Sequence, residues 1–194
     1  MGRTDHEKSS RLVWIDLETT GLHPDRDVIL EIATIITDKD LGEVATGPCL
    51  VIHQPEETLL SMDSWGKNQH EKSGLLEQVR KSTLSTAEAE AQTLAFLREH
   101  CAAQANPLCG NSICFDRRFL IRHMSSVDAF LNYRHVDVSS VKELVARWYP
   151  ELSRSMSHEK ASAHRALQDI QESIAELRTY RQMIFRGKLN GNAT

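Results

Sequence analysis

An apolar run that ends in two acids one residue apart sets the first limit on this fold: Leu12, Val13, Trp14 and Ile15 lead into Asp16-Leu17-Glu18. Such a run reads as a buried strand, and strand alternation projects Asp16 and Glu18 from one face of the sheet. Two unpaired carboxylates side by side repel each other, and buried charge is tolerated mainly when it is paired or bound to a cation. The pair therefore points to a divalent metal site. The competing reading is a strand that runs into solvent and ends in two ordinary surface acids.

Further acids favour the metal. Ala163-His164-Arg165-Ala166-Leu167-Gln168-Asp169-Ile170 opens a helical pattern whose apolar stripe runs through Leu167, Ile170, Ile174 and Leu177. At about 100° per residue, His164 and Asp169 fall on opposite flanks of that stripe, so one regular helix cannot aim both at one point. If both serve one site, His164 sits at or before the first turn. Between the two segments, Gly110-Asn111-Ser112 marks a change from short strand to helix. Asp116 is thereby placed near a strand-to-helix junction, where α/β sheets commonly put ligand groups.

Along the chain, strands are predicted over 12–16, 28–37, 43–53, 107–110 and 134–138. Helices are predicted over 55–62, 75–82, 86–101, 115–124, 138–149 and 163–185, with a loop over 151–162. The order gives an α/β fold whose first three strands form an antiparallel meander. At 194 residues and 40% apolar content, the chain can bury one full core. The expected division is a disordered tail over 1–10, one domain over 11–186, and a polar tail over 187–194. Cys49, Cys101, Cys109 and Cys114 lack metal or disulfide spacing and are expected as reduced, mostly buried thiols.

The first residues lack the apolar segment of a signal, His6 stands where a myristoylation site has Ser or Thr, and no stretch approaches membrane-spanning length. The formal acceptor Asn192-Ala193-Thr194 is then expected to stay unglycosylated. A cytoplasmic location is expected, or a partly mitochondrial one in a eukaryote.

Asp16-x-Glu18, Gly110-Asn111-Ser112-x-x-x-Asp116 and His164-x-x-x-x-Asp169 resemble the three motifs of the DEDDh group of 3′-to-5′ exonucleases. Within that group, Asp16-Leu-Glu-Thr-Thr-Gly-Leu22, His70-x-x-Ser73-Gly74-Leu75, Cys109-Gly-Asn-Ser112, Tyr133-Arg134-x-x-Asp137-Val138-Ser139 and Arg147-Trp148-Tyr149-Pro150 are similar to the oligoribonuclease family. The similarity runs over about 12–185. Thr19 departs from the family's Met, and Arg165 stands where the tyrosine variant of the group carries Tyr.

The resemblance implies a ribonuclease H-like mixed sheet, antiparallel in its first three strands and then parallel, flanked by helices. It implies that Asp16, Glu18, Asp116 and Asp169 hold two ions, with Asp16 bridging them and His164 as general base. Oxygen donors favour Mg²⁺ or Mn²⁺, and two such ions activate water and stabilise the leaving oxygen. Leu22 and Trp65 would pack against two bases, and Tyr133 would reach in from the other subunit of a homodimer. Ser112, Arg134, Ser139 and Ser140 would close around the 5′ phosphate of a dinucleotide. Short single-stranded RNA is the implied substrate, yielding 5′ mononucleotides, without stable binding of duplex DNA. A net charge of -4 suits so short a partner better than long nucleic acid. For single residues plainer readings stand beside these: Trp65 in the core, Tyr133 anchoring a loop, Ser139-Ser140 starting a helix. Two rival functions are a proofreading or repair exonuclease on longer single-stranded DNA, and an inactive nucleic-acid-binding protein of the same fold.

Overall fold

The computed structural model describes residues 3–155 and 165–185. Five strands form one sheet: β1 (Leu12–Thr19), β2 (Ile29–Thr37), β3 (Glu43–Val51), β4 (Leu108–Gly110) and β5 (His135–Asp137), in the order β3-β2-β1-β4-β5. The first three are antiparallel, β4 runs parallel to β1, and β5 parallel to β4. This is the mixed sheet expected from the sequence.

The helices are α1 (Arg3–Ser9), α2 (Glu56–Leu60), α3 (Ser64–Lys72), α4 (Leu75–Lys81), α5 (Thr86–His100), α6 (Cys114–His123), α7 (Ser125–Phe130), α8 (Val138–Trp148), α9 (Pro150–Ser155) and α10 (Ala166–Tyr180). A π-helical turn over Arg181–Phe185 follows α10.

Strand alternation divides the core into two layers. Val13, Ile15 and Leu17 face α5, α6 and α7, packing with Leu97, Phe119, Leu120 and Val127. Trp14 faces the other way, into a layer built from Val138 and Val145 of α8 and Ala166, Ile170 and Ile174 of α10. Asp16 and Glu18 share the parity of Trp14, so β1 turns both acids towards α10. A third cluster, Leu30, Leu59, Met62, Leu75, Leu76 and Val79, seats α2 and α4 on β2.

The structure departs from the sequence pattern in six places. Residues 3–9 of the expected disordered tail form α1, and Asn106 holds its end by donating from Nδ2 to the carbonyls of Lys8, in the last turn, and Arg11, just beyond it, each at 2.8 Å. α3 lacks an apolar stripe, and only His70 of its nine residues is buried. Its start is set instead by Asp63, whose carboxylate accepts from the backbone N–H of Trp65 and Gly66 at 2.9 Å. The short α7 was likewise not expected, and α9 occupies the start of the predicted 151–162 loop. The last helix begins at Ala166 rather than 163, because Arg165 is extended (φ -133°, ψ 124°). The four cysteines are free, but Cys49 and Cys114 are exposed and only Cys101 and Cys109 buried. Among the described residues, no helix is long and apolar enough to cross a membrane.

Candidate active site

β1 carries Asp16 and Glu18 out of the core on the α10 side, and the first turn of α10 brings Asp169 to meet them. One carboxylate oxygen from each of the three lies within 4.8 Å of the others. The surface-acid reading of Asp16-x-Glu18 is thereby excluded: the pair faces a third carboxylate far along the chain.

Asp116 is placed differently. β4 pairs with β1 only as far as Trp14, which leaves the N–H of Leu17 without a strand partner on that side. Asp116, buried in the first turn of α6, accepts that N–H on Oδ1 at 3.0 Å. It is therefore tied to the β1 backbone between the two β1 acids, and it lies outside the three-carboxylate group. The general base expected at His164 lies outside the described residues. The extended backbone at Arg165 agrees with a helix that starts only after position 164.

Burial, reinforced by the crowding of acids, sets the electrostatics. Burial pushes the Asp16 carboxyl well above the carboxylate range, and the charges of Asp116, Glu18, Asp169 and Glu31 push it further. Glu18 is raised to about 8, first by burial and then by Asp169, Glu31 and Asp116. Burial also raises Asp116 to about 7, against the lowering effect of the Leu17 hydrogen bond. At neutral pH such a cluster holds protons unless a cation takes their place. The donors are all oxygens, which fits a hard divalent cation such as Mg²⁺ or Mn²⁺.

Sequence reasoning quoted His70 only as part of a motif. It is 6% exposed, with Nε2 at 3.0 Å from the Thr19 carbonyl and Nδ1 at 3.8 Å from Glu18 Oε2. A ring nitrogen that close to a carbonyl oxygen carries the proton. His70 thus ties α3 to the end of β1, where the strand register shifts between Glu18 and Thr19. Its sequence signal was Asp63, a cap ahead of a polar helix.

The expected substrate residues are mostly exposed. Leu22 and Trp65 are each 66% exposed and Tyr133 72%, so Trp65 is not a core residue. The Tyr133 carbonyl does anchor its loop, accepting from Arg117 Nη1 at 3.0 Å. The Arg134 guanidinium stacks 4.9 Å from the Tyr133 ring centre, a cation–π contact.

Ser112 and Ser139 are brought together by Asp137, which the sequence offered only within the Tyr133-Arg134-x-x-Asp137-Val138-Ser139 motif, with no role of its own. Its Oδ1 accepts from the N–H of Ser112 at 3.0 Å, the N–H of Ser139 at 2.9 Å and the Ser139 hydroxyl at 2.6 Å. Ser112 needs this hold, since its backbone is left-handed (φ 55°). α8 begins at Val138 with Asp137 as its cap, so Ser139 lies in the first turn, its hydroxyl proton directed at Asp137, and does not itself start the helix as the plainer reading had it. Ser140, next along, is exposed.

The sheet order and acid cluster have counterparts among known proteins. The model of the Exonuclease family (RNase_T) matches residues 13–177, which places the chain in the class of exonucleases. Curated oligoribonucleases of Pseudomonas paraeruginosa (57% identical over 175 residues, covering 90% of this chain and 96% of theirs) and Dichelobacter nodosus (55% over 179 residues, 92% and 97%) are similar along nearly their full length. The chain belongs to the oligoribonuclease family and is a 3′-to-5′ exoribonuclease, a phosphodiester hydrolase.

Solved structures share the fold at low identity. They include Escherichia coli exonuclease I in complex with a dT13 oligonucleotide (TM-score 0.69, 17% identical, covering 89% of this chain) and exonuclease I from Methylocaldum szegediense (0.62, 19%, 91%). The chain spans 41% of the length of either.

Proposed function

We propose that the protein hydrolyses very short oligoribonucleotides, dinucleotides above all, to 5′ mononucleotides. The observation that carries this reading is the convergence of Asp16, Glu18 and Asp169 within 4.8 Å, in a member of the oligoribonuclease family. These three, with Asp116, would hold two divalent cations. When bound, such cations supply Lewis-acid stabilisation of charge on the scissile phosphate and the leaving oxygen. His164 takes the proton of the attacking water, a role that suits an imidazole, whose unperturbed pKa is about 6.5.

Leu22 and Trp65 offer exposed apolar surface on which two bases stack. Ser112, Arg134, Ser139 and Ser140 close on the 5′ phosphate, with Asp137 holding the Ser112 turn against the start of α8. A charged and hydroxyl-lined cap of this kind stops a longer strand from extending past the second nucleotide. The reading includes a single exonuclease domain over 11–186 and a homodimer in which Tyr133 serves the partner's site. Exposed Trp148 and Tyr149 at the end of α8 support the dimer. A cytoplasmic enzyme without stable duplex DNA binding completes it.

The test is a time course with Mg²⁺ or Mn²⁺ on 5′-labelled RNA of two, four, seven and twenty nucleotides, beside matching DNA and an EDTA control. Fastest metal-dependent cleavage of the dinucleotide is expected. Preference for the longest strands, or for DNA, would transfer the function to a proofreading-type exonuclease, and no cleavage would leave a binding protein. Within the same assay, Arg134→Ala is expected to raise KM for 5′-phosphorylated dinucleotides at least about tenfold, the scale of one charge-assisted pair. Dinucleotides with a 5′ hydroxyl should change much less, and equal weakening of both would remove Arg134 from the cap.

A further inference from the structure

Glu31 is the lone acid of β2, Ile29-Leu-Glu-Ile-Ala-Thr-Ile-Ile-Thr37, and its side chain is fully buried. In the β1–β2 register it lies directly across from Glu18, yet it does not join the three-carboxylate group. Both of its oxygens are occupied. Arg165 donates to Oε1 from Nη2 at 2.6 Å and from Nε at 3.1 Å, with Nε also 3.2 Å from Oε2. The backbone N–H of Ala166 donates to Oε2 at 3.0 Å, and the Cys49 thiol to Oε1 at 3.4 Å. Arg165 Nη2 also reaches Gln78 Oε1 of α4 at 2.9 Å.

These contacts change what starts α10. The helix has no side-chain cap of its own at Arg165; the N–H of its first residue is capped from across the sheet by Glu31. One turn later the N–H of Asp169 bonds to the Arg165 carbonyl at 3.0 Å. Arg165 is thus held at its guanidinium by β2 and α4, and its carbonyl supports the residue that completes the acid cluster.

A Ser or Asp at the helix start would cap it as well. A buried carboxylate beside three others is a costly alternative, tolerated because it is paired and hydrogen-bonded on both oxygens. What the ion pair adds over a local cap is placement, since it ties the first turn of α10 to the strand facing Glu18.

We propose that Glu31 and Arg165 form a positioning pair that sets where α10 begins and so holds Asp169 against Asp16 and Glu18. The inference rests on reading that cluster as a cation site. Neither residue touches substrate; both act through Asp169, as the outer hydrogen-bonding partners of metal ligands do.

The experiment measures Mn²⁺ binding by calorimetry, with thermal melting, on the wild-type chain, Arg165→Ala, Glu31→Gln and the double variant Glu31→Gln/Arg165→Ser. The double variant removes the buried charge and supplies α10 with a local Ser cap, so it separates placement from helix stability. Affinity is expected to fall about 10- to 100-fold in both single variants. In the double variant the melting temperature should recover while affinity stays at least about tenfold weak. Recovery of affinity together with melting temperature would reduce the pair to a stabilising cap and overturn the proposal, as would wild-type affinity in the single variants. If the double variant does not fold, Arg165→Lys decides: it keeps the charge but loses the two-point contact, and wild-type affinity there would also overturn the proposal. A wild-type chain that binds no Mn²⁺ would refute the cation reading itself, and this inference with it.

Discussion

Replacing Asp16 or Asp169 with Asn is expected to lower turnover by about 10³-fold or more while raising the melting temperature of the metal-free protein. The two effects have one cause. Loss of a ligand removes several kcal/mol of charge stabilisation in the transition state, and each 1.4 kcal/mol is a factor of ten. In the absence of a cation the same carboxylates repel: Asp16 is pushed up by burial and then by Asp116, Glu18, Asp169 and Glu31. A neutral amide of similar shape relieves that repulsion without opening a cavity. Kinetics and melting curves in EDTA check both halves. Full activity in either variant would remove that residue from the site, and a lowered melting temperature would contradict the repulsion.

The second large effect is a dependence of metal-free stability on pH that a divalent cation removes. Glu18 has an ordinary value of 4.5 and is raised to about 8 in the fold; Asp116 rises from 3.8 to about 7. For carboxyls raised in this way the folded state binds more protons than the unfolded chain. The stability they contribute is full below about pH 4 and is lost as pH rises to about 8. Melting temperatures in EDTA are therefore expected to fall between pH 5 and pH 8. With millimolar Mn²⁺ the decline should flatten, because the cation displaces the protons. Calorimetry in two buffers of different ionisation enthalpy should show protons released on binding at pH 6 and few at pH 9. Melting temperatures in EDTA that do not fall across that range would show that the acids are not crowded as the structure has them.

Much of this site was legible before any coordinates, and its illegible parts share a character. The parity of β1 put Asp16 and Glu18 on one face, and the stripe of Leu167, Ile170, Ile174 and Leu177 identified the closing helix. The sequence placed the start of that helix at 163, with a later start only if His164 and Asp169 serve one site; it starts at Ala166. Of three further groups, Glu31 carried no sign of the site in the sequence, and His70 and Asp137 stood only inside motifs with no role attached. Glu31 caps a helix that begins 135 residues later. His70 reaches the end of β1 from a helix with no apolar face. Asp137 gathers two backbone N–H groups from segments 25 and 2 residues away.

Periodicity reports which side of an element is buried, because burial acts on each residue through its own local geometry. The amino-acid sequence by itself therefore determined the strand that presents Asp16 and Glu18 on one face and the helix that closes the sheet, and its motifs, through the family they resemble, supplied the mixed sheet and the acids of the site. Which polar groups then pair depends on strand order, on register and on where a short strand stops. Tertiary structure alone decided that Asp116 takes the N–H β4 leaves open, that Glu31 is tied to Arg165 while Glu18 faces the cluster, and that Asp137 joins the Ser112 turn to the start of α8. A buried polar group is satisfied by whichever partner the assembled chain brings within hydrogen-bond distance, and no local pattern encodes that distance.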